Sequence, residues 1–216
     1  IMLIPIKPNE INKLIPSVAT GLQFNSALGN PQKIFQRILI STIGGVITLL
    51  ISQSQITSQF YSLWLVLGVV FLLYILWGPI LEASRKNSTF KSFSYSALVD
   101  GFISGVYIEE RVENQQEQAN KDGRLELVEK KRSWLILDIE DEEGFIGNIS
   151  FPLQKKYNII RKGMRINCVV FSNRRDFYNI QAISDGWCPE INLWVGYYPS
   201  LLRPAFEEFV NRKLLN

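Results

Sequence analysis

The chain has 216 residues, with 23 Lys and Arg against 20 Asp and Glu; it has no histidine, which excludes imidazole general-base chemistry, imidazole metal sites and the usual near-neutral pH switch. Its two cysteines, Cys168 and Cys188, are too few for a disulfide scaffold or a four-thiolate zinc site and are expected to be buried reduced thiols. Charge is uneven, net +5 over residues 1–91 and net −2 over residues 92–216, and basic flanks on apolar sequence point to a membrane rather than to nucleic acid.

Residues 1–33 are taken as an N-terminal interfacial segment. Within "EINKLIPSVATGLQF", residues 10–24, Ile11, Leu14, Ile15, Val18 and Leu22 fall at helical spacing. That pattern fits an amphipathic piece at the membrane interface and equally a loop packed on a soluble domain.

Residues 34–81 predict a membrane α-helical hairpin of two transmembrane helices. The first span, "IFQRILISTIGGVITLLIS" (34–52), is nearly as apolar as the second run once Arg37 extends its charged end to the headgroups. The charge-free "QSQITSQ" (53–59) follows, and then "FYSLWLVLGVVFLLYILWGPIL" (60–81), 22 residues without a charge. As helix the second run is about 33 Å long, enough for a hydrocarbon core of roughly 30 Å. Gly78-Pro79 is expected to stop and bend it, with Glu82, Arg85 and Lys86 fixing its depth. Arg37, Arg85, Lys86 and Lys91 are the predicted membrane-interface residues. With no basic residue in the connecting loop, they put both termini on the cytoplasmic or stromal side.

Beyond Lys91 the texture changes to short alternating runs. Strands are predicted over 101–113, 124–140, 144–153, 164–172 and 176–184, separated by a polar loop (114–123), "DEEG", a connector ending in "RKG", and "SNRRD". Five strands with a connector after the third predict a small mainly-β, OB-like barrel over residues 92–184, Gly101 and Gly105 supplying bends. Residues 185–216 form an aromatic-rich tail and a C-terminal amphipathic helix, with Pro204 at its start and Phe206, Phe209, Val210 and Leu214 on one face.

Little of this carries reaction chemistry. No Walker loop, nucleophile elbow or dinucleotide fingerprint occurs, and no catalytic residue, metal site or cofactor is predicted, pigment or lipid contact being left open. The acidic run Asp138, Glu140 to Glu143 reads as a solvated turn in preference to a cation site. Basic residues mix with aromatics at Lys130 to Trp134 and Arg174 to Tyr178, but the soluble part is net negative, which favours lipid headgroups over nucleic acid. In the first span Ser41, Gly45, Thr48 and Ser52 share one face, and small residues there let a second helix approach, either the hairpin's other leg or a partner's helix. Neither span holds a charge away from its ends, and two helices alone enclose no polar path, so transport by this chain alone is not expected.

Three stretches, "LIPSVATGLQF" (14–24), "LWGPILEASRKN" (76–87) and "NLWVGYYPSLLRPAFEEF" (192–209), together resemble a family of cyanobacterial and plastid membrane proteins often labelled phosphate transporter permeases. "LEASRKN" keeps only Glu82-Ala83 of a permease coupling loop. The resemblance implies the thylakoid or plasma membrane of an oxygenic phototroph. It also implies a role as a small accessory or assembly factor for a photosynthetic membrane complex. The hairpin, the small-residue face and the missing catalytic constellation lead to the expectation of a non-enzymatic anchor whose β-barrel binds a larger membrane protein complex. A subunit of a multi-component transporter and an NfeD-like partner of a membrane protease or scaffold are the alternatives.

Overall fold

The computed structural model describes residues 3–54, 56, 59–119 and 125–214. The chain divides into two compact units, a mainly-β unit of Ile1–Ile15 with Lys91–Asn216 and a helical unit of Pro16–Phe90. The first fifteen residues thus go with the sheet instead of joining residues 16–33 in one interfacial segment. They form β1 (Ile4–Pro5) and α1 (Pro8–Leu14), and Ile11 and Leu14 of α1 are buried.

The helical unit contains α2 (Gly21–Leu28), α3 (Pro31–Ser54), α4 (Tyr61–Leu72) and α5 (Tyr74–Lys91). Thr20 starts α2 through a capping box: its hydroxyl accepts from the Gln23 N–H at 3.4 Å and its own N–H donates to Gln23 Oε1 at 3.1 Å. α3 has 24 residues and is long and apolar enough to cross a membrane. Its buried residues are Arg37, Ser41, Gly45, Thr48 and Ser52, a single polar and small stripe, while large side chains such as Ile43, Val46, Ile47 and Leu50 are exposed.

The second apolar run departs from one straight helix. α4 and α5 are bent by 71° at Leu73, and α5 then runs through Gly78-Pro79 to Lys91. Pro79 neither stops the helix nor sits at the bend. It lacks an N–H to give the Ile75 carbonyl, yet residues 75–79 remain helical and the axis breaks earlier, at Leu73.

The mainly-β unit is one antiparallel sheet built from β2 (Tyr95–Ala119), β3 (Leu125–Glu140), β4 (Ile146–Pro152), β5 (Arg165–Ser172), β6 (Ala182–Ile183), β7 (Gly186–Cys188) and β8 (Leu193–Val195). The order is β4-β3-β2-β5-β7-β8, with β1 paired to β2 and β6 to β5. β2 changes partner along its length: residues 95–102 pair with β5 and residues 102–119 with β3. The change falls at Gly101, where a Cβ would lie 2.6 Å from the Glu140 carbonyl oxygen, and a bulge follows between Ile103 and Gly105.

β2 continues into the predicted polar loop as far as Ala119, pairing Asn114 with Lys130 out to Ala119 with Leu125, and residues 120–123 of that loop lie outside the described residues. Beyond Trp134, which pairs with Pro152 at the end of β4, β2 and β3 form a two-stranded ribbon. Of the predicted strand over 176–184 only Ala182–Ile183 pairs, because Asp176 and Ser172 hold residues 172–179 in a hydrogen-bonded turn. The predicted tail instead adds β7 and β8 to the sheet.

Val99, Ile103, Leu137, Ile139, Phe151, Ile166 and Cys168 form the centre of the core. β5 is buried at every position from Ile166 to Ser172, as a strand covered on both faces must be. α6 (Arg203–Leu214) buries Phe206, Phe209 and Val210, and Phe206 meets the Trp194 ring of β8 edge to face at 5.6 Å. The indole of Trp194 donates to Glu207 Oε1 at 3.0 Å, and the Leu202 N–H donates to the Leu14 carbonyl at 2.7 Å, tying α1 to the start of α6.

Asp185 organises the loop before α6. Its Oδ1 accepts from the Ser200 N–H at 2.9 Å, the Ser200 hydroxyl at 2.7 Å and the Leu201 N–H at 3.0 Å, whereas Oδ2 is buried without a partner. Burial outweighs these bonds and raises its pKa from 3.8 to about 6. An acid with a raised folded-state pKa stabilises the fold fully below its unfolded value and loses that contribution as pH rises through the folded one. The loss is predicted at roughly 3 kcal/mol between about pH 4 and 7. Asp185→Asn should flatten this part of the unfolding-midpoint profile, and a variant profile as steep as the wild type would contradict the assignment.

Candidate functional site

The α3 stripe is the inner seam of the hairpin. A Cβ on Gly45 would lie 2.5 Å from Leu72 Cδ2, and one on Gly68 would lie 3.1 Å from Thr48 Oγ1, so the backbones of α3 and α4 meet through these two glycines. Thr48 turns its hydroxyl back to the Gly44 carbonyl at 2.7 Å, and Ser52 donates to the Tyr61 carbonyl at 3.4 Å across the far end. All four predicted packing residues, Ser41, Gly45, Thr48 and Ser52, are therefore engaged within this chain.

The break at Leu73 frees carbonyls at the end of α4, because the regular i to i+4 ladder cannot continue through a 71° bend. Side chains serve two of them. The Ser41 hydroxyl donates to the Leu72 carbonyl at 2.6 Å, and the Trp77 indole N–H reaches back across the bend to the Val70 carbonyl at 2.8 Å. The Leu73 N–H serves Val69 at 3.1 Å. Tyr74 meets Trp77 edge to face at 4.9 Å, fixing the indole one turn into α5.

Below the bend lies a cleft of about 570 Å³ lined by Arg37, Tyr74, Trp77, Gly78, Leu81, Glu82, Arg85, Lys86 and Thr89. Arg37 was expected to extend to the surface; it turns inward instead and is only 7% exposed. Its Nη2 donates to the Ala27 carbonyl at 2.9 Å, serving the open end of α2, and to Glu82 Oε2 at 2.6 Å. Glu82 Oε1 also takes Lys86 at 3.1 Å. Arg37 Nη1 is buried with no partner. Arg85 is exposed on the cleft, and Lys91 ends α5 outside it.

Sequence spacing singled out Arg37, Arg85 and Lys86, and the fold brings all three together. Glu82 as the counter-charge is missed, although its i,i+4 placement before Lys86 is a signal for it. A second joint is missed too: Asn87 donates to the Gln23 Oε1 and to the Pro16 carbonyl, both at 2.9 Å, with Gln23 and Asn87 fully buried. The Thr20 to Gln23 spacing of a capping box marks one half of it.

Elsewhere the remaining candidates resolve into structure. Asp141 accepts from the Glu143 and Phe145 N–H groups at 2.9 and 2.7 Å and so caps the acidic turn. Among the described residues no cluster of Cys, Asp and Glu is arranged to hold a metal ion. Arg111 lies 4.9 Å over the Trp134 ring, which stacks on Tyr197 at 5.5 Å, so this basic and aromatic mixture braces the base of the ribbon. Cys168 and Cys188 are buried free thiols, and burial pushes both up to about 12, which leaves them unreactive at neutral pH.

Removing the Leu72 acceptor's donor with Ser41→Ala is predicted to destabilise the helical unit by about 1 kcal/mol. Gly45→Leu, which drives a side chain into Leu72, should cost more and loosen the hairpin. Thermal melts in mild detergent followed by circular dichroism check both, and two unchanged melts would remove the fastening role of this seam.

Comparison with curated proteins and with solved structures gives no match. One family model matches residues 4–214, nearly the whole of both units. The chain accordingly belongs to that family, described as Family of unknown function (DUF8619).

Proposed function

We propose that the chain is a non-enzymatic membrane anchor that presents its mainly-β unit to a larger membrane protein complex. In this reading the helical unit crosses the bilayer as two legs, α3 and the bent α4–α5, and both termini lie on the basic, cytoplasmic or stromal side. The observation that carries it is the inside-out character of the hairpin: its polar and small residues fasten the legs to each other, while large apolar side chains on α3 and α4 face outward.

An OB-like reading of the sheet is supported by the β2-β3-β4 meander, by β5 returning beside β2, and by the short 3-10 turn Lys155–Ile159 between β4 and β5. Closure is supported where Ile183 Cδ1 comes within 2.9 Å of a Cβ position on Gly147, bringing β6 against β4. The two-stranded ribbon is the element offered to the partner, because two strands without flanking strands are marginal in water and Tyr107, Ile108 and Val112 near its base are exposed.

The resemblance of the three sequence stretches supports the setting, a thylakoid or plasma membrane of an oxygenic phototroph, and with it a role as accessory or assembly factor of a photosynthetic complex. Solubilising native membranes in mild detergent and sizing the chain is the test. Migration with a much larger assembly is expected, with loss of that migration when residues 110–133 are replaced by a short turn. A chain that runs alone at its own mass under mild conditions would contradict the proposal.

A further inference from the structure

We propose that the cleft beneath the α4–α5 bend holds the anionic headgroup of one membrane phospholipid; this rests on the reading that the helical unit lies in a bilayer. Charge comes first. Arg37, Arg85 and Lys86 face it against Glu82 alone, leaving a net charge of about +2 in a space of about 570 Å³.

The donors are not all used. The Arg85 guanidinium is exposed on the cleft and among the described residues makes neither a hydrogen bond nor an ion pair, and Arg37 commits Nη2 while its Nη1 has no acceptor. A buried guanidinium nitrogen without a partner is costly, and an anion beside it relieves that cost. A phosphate group offers several acceptor oxygens to two guanidinium groups at once.

Position argues for a lipid over a soluble anion. The charge-free part of α3 begins just after Arg37 and that of α5 ends just before Glu82, and these two residues touch, so the cleft lies where the apolar stretch of the hairpin ends. Tyr74, Trp77 and Leu81 line its other wall, the mixture of aromatic and basic residues found at the headgroup level. A phosphate seated among the basic groups would leave its acyl chains along the exposed apolar residues of α4, such as Val69 and Val70.

Native mass spectrometry of the full chain from mild detergent, supplied with phosphatidylglycerol and phosphatidylcholine, tests the proposal. One phosphatidylglycerol per chain should be retained in preference to phosphatidylcholine. Arg85→Ala should weaken that retention about fivefold, Arg85→Lys should restore most of it, and Lys162→Ala, on an exposed connector of the mainly-β unit outside both basic and aromatic patches, should change nothing.

Equal retention of the two lipids, or equal loss in the Arg85 and Lys162 variants, overturns the site. Inorganic phosphate that displaces the lipid at low millimolar concentration would overturn the lipid as its occupant. Alkaline extraction of chain-loaded vesicles separates the two levels: a chain that resists extraction yet shows no lipid preference removes this inference only, and a chain released by alkali removes the bilayer reading with it.

Discussion

A carbonyl freed at a helix break needs a donor, and in an apolar setting water is not there to supply one. That constraint governs the helical unit. The 71° bend between α4 and α5 frees the Val70 and Leu72 carbonyls, and Trp77 and Ser41 supply the donors. Ser41 reaches Leu72 only because Gly45 and Gly68 let the helices close, so the small-residue seam and the bend depend on each other. Arg37 and Glu82 then join the same two legs below the bend and form the cleft.

The three stretches that carry the sequence resemblance turn out to be joints. Leu14 in the first meets Leu202 in the third through a 2.7 Å backbone hydrogen bond within the mainly-β unit. Gln23 in the first meets Asn87 at the end of the second within the helical unit, and the capping box of Thr20 orients the Gln23 amide that receives it. Asp185, Ser200 and Leu201 make a third fastening. A residue pattern tied to such contacts is constrained by packing and hydrogen bonding, which accounts for its distinctive sequence.

Much of this was legible because apolar periodicity and small-residue spacing are local properties. α3, its seam, the C-terminal helix and the centres of β3, β4 and β5 follow from them directly. The rest depended on partners distant in sequence. Arg37 turns inward because Glu82 and the Ala27 carbonyl are there to receive it, and nothing adjacent to Arg37 announces either. The polar residues after Glu113 looked like a loop, but cross-strand pairing carries the ribbon on to Ala119 and Leu125. Pro79 looked like a stop, but α5 runs through it to Lys91, and the axis breaks at Leu73, where Ser41 and Trp77 supply donors to the freed carbonyls.

The central claim is that the bent α4–α5 leg returns through the bilayer beside α3. Single-cysteine labelling with a membrane-impermeant maleimide tests it most directly, since native Cys168 and Cys188 are buried and Ser54 and Ser88 are exposed near the two ends of the hairpin. In sealed, oriented vesicles Ser54→Cys and Ser88→Cys should label from opposite faces. Labelling of both positions from the same face would contradict the account.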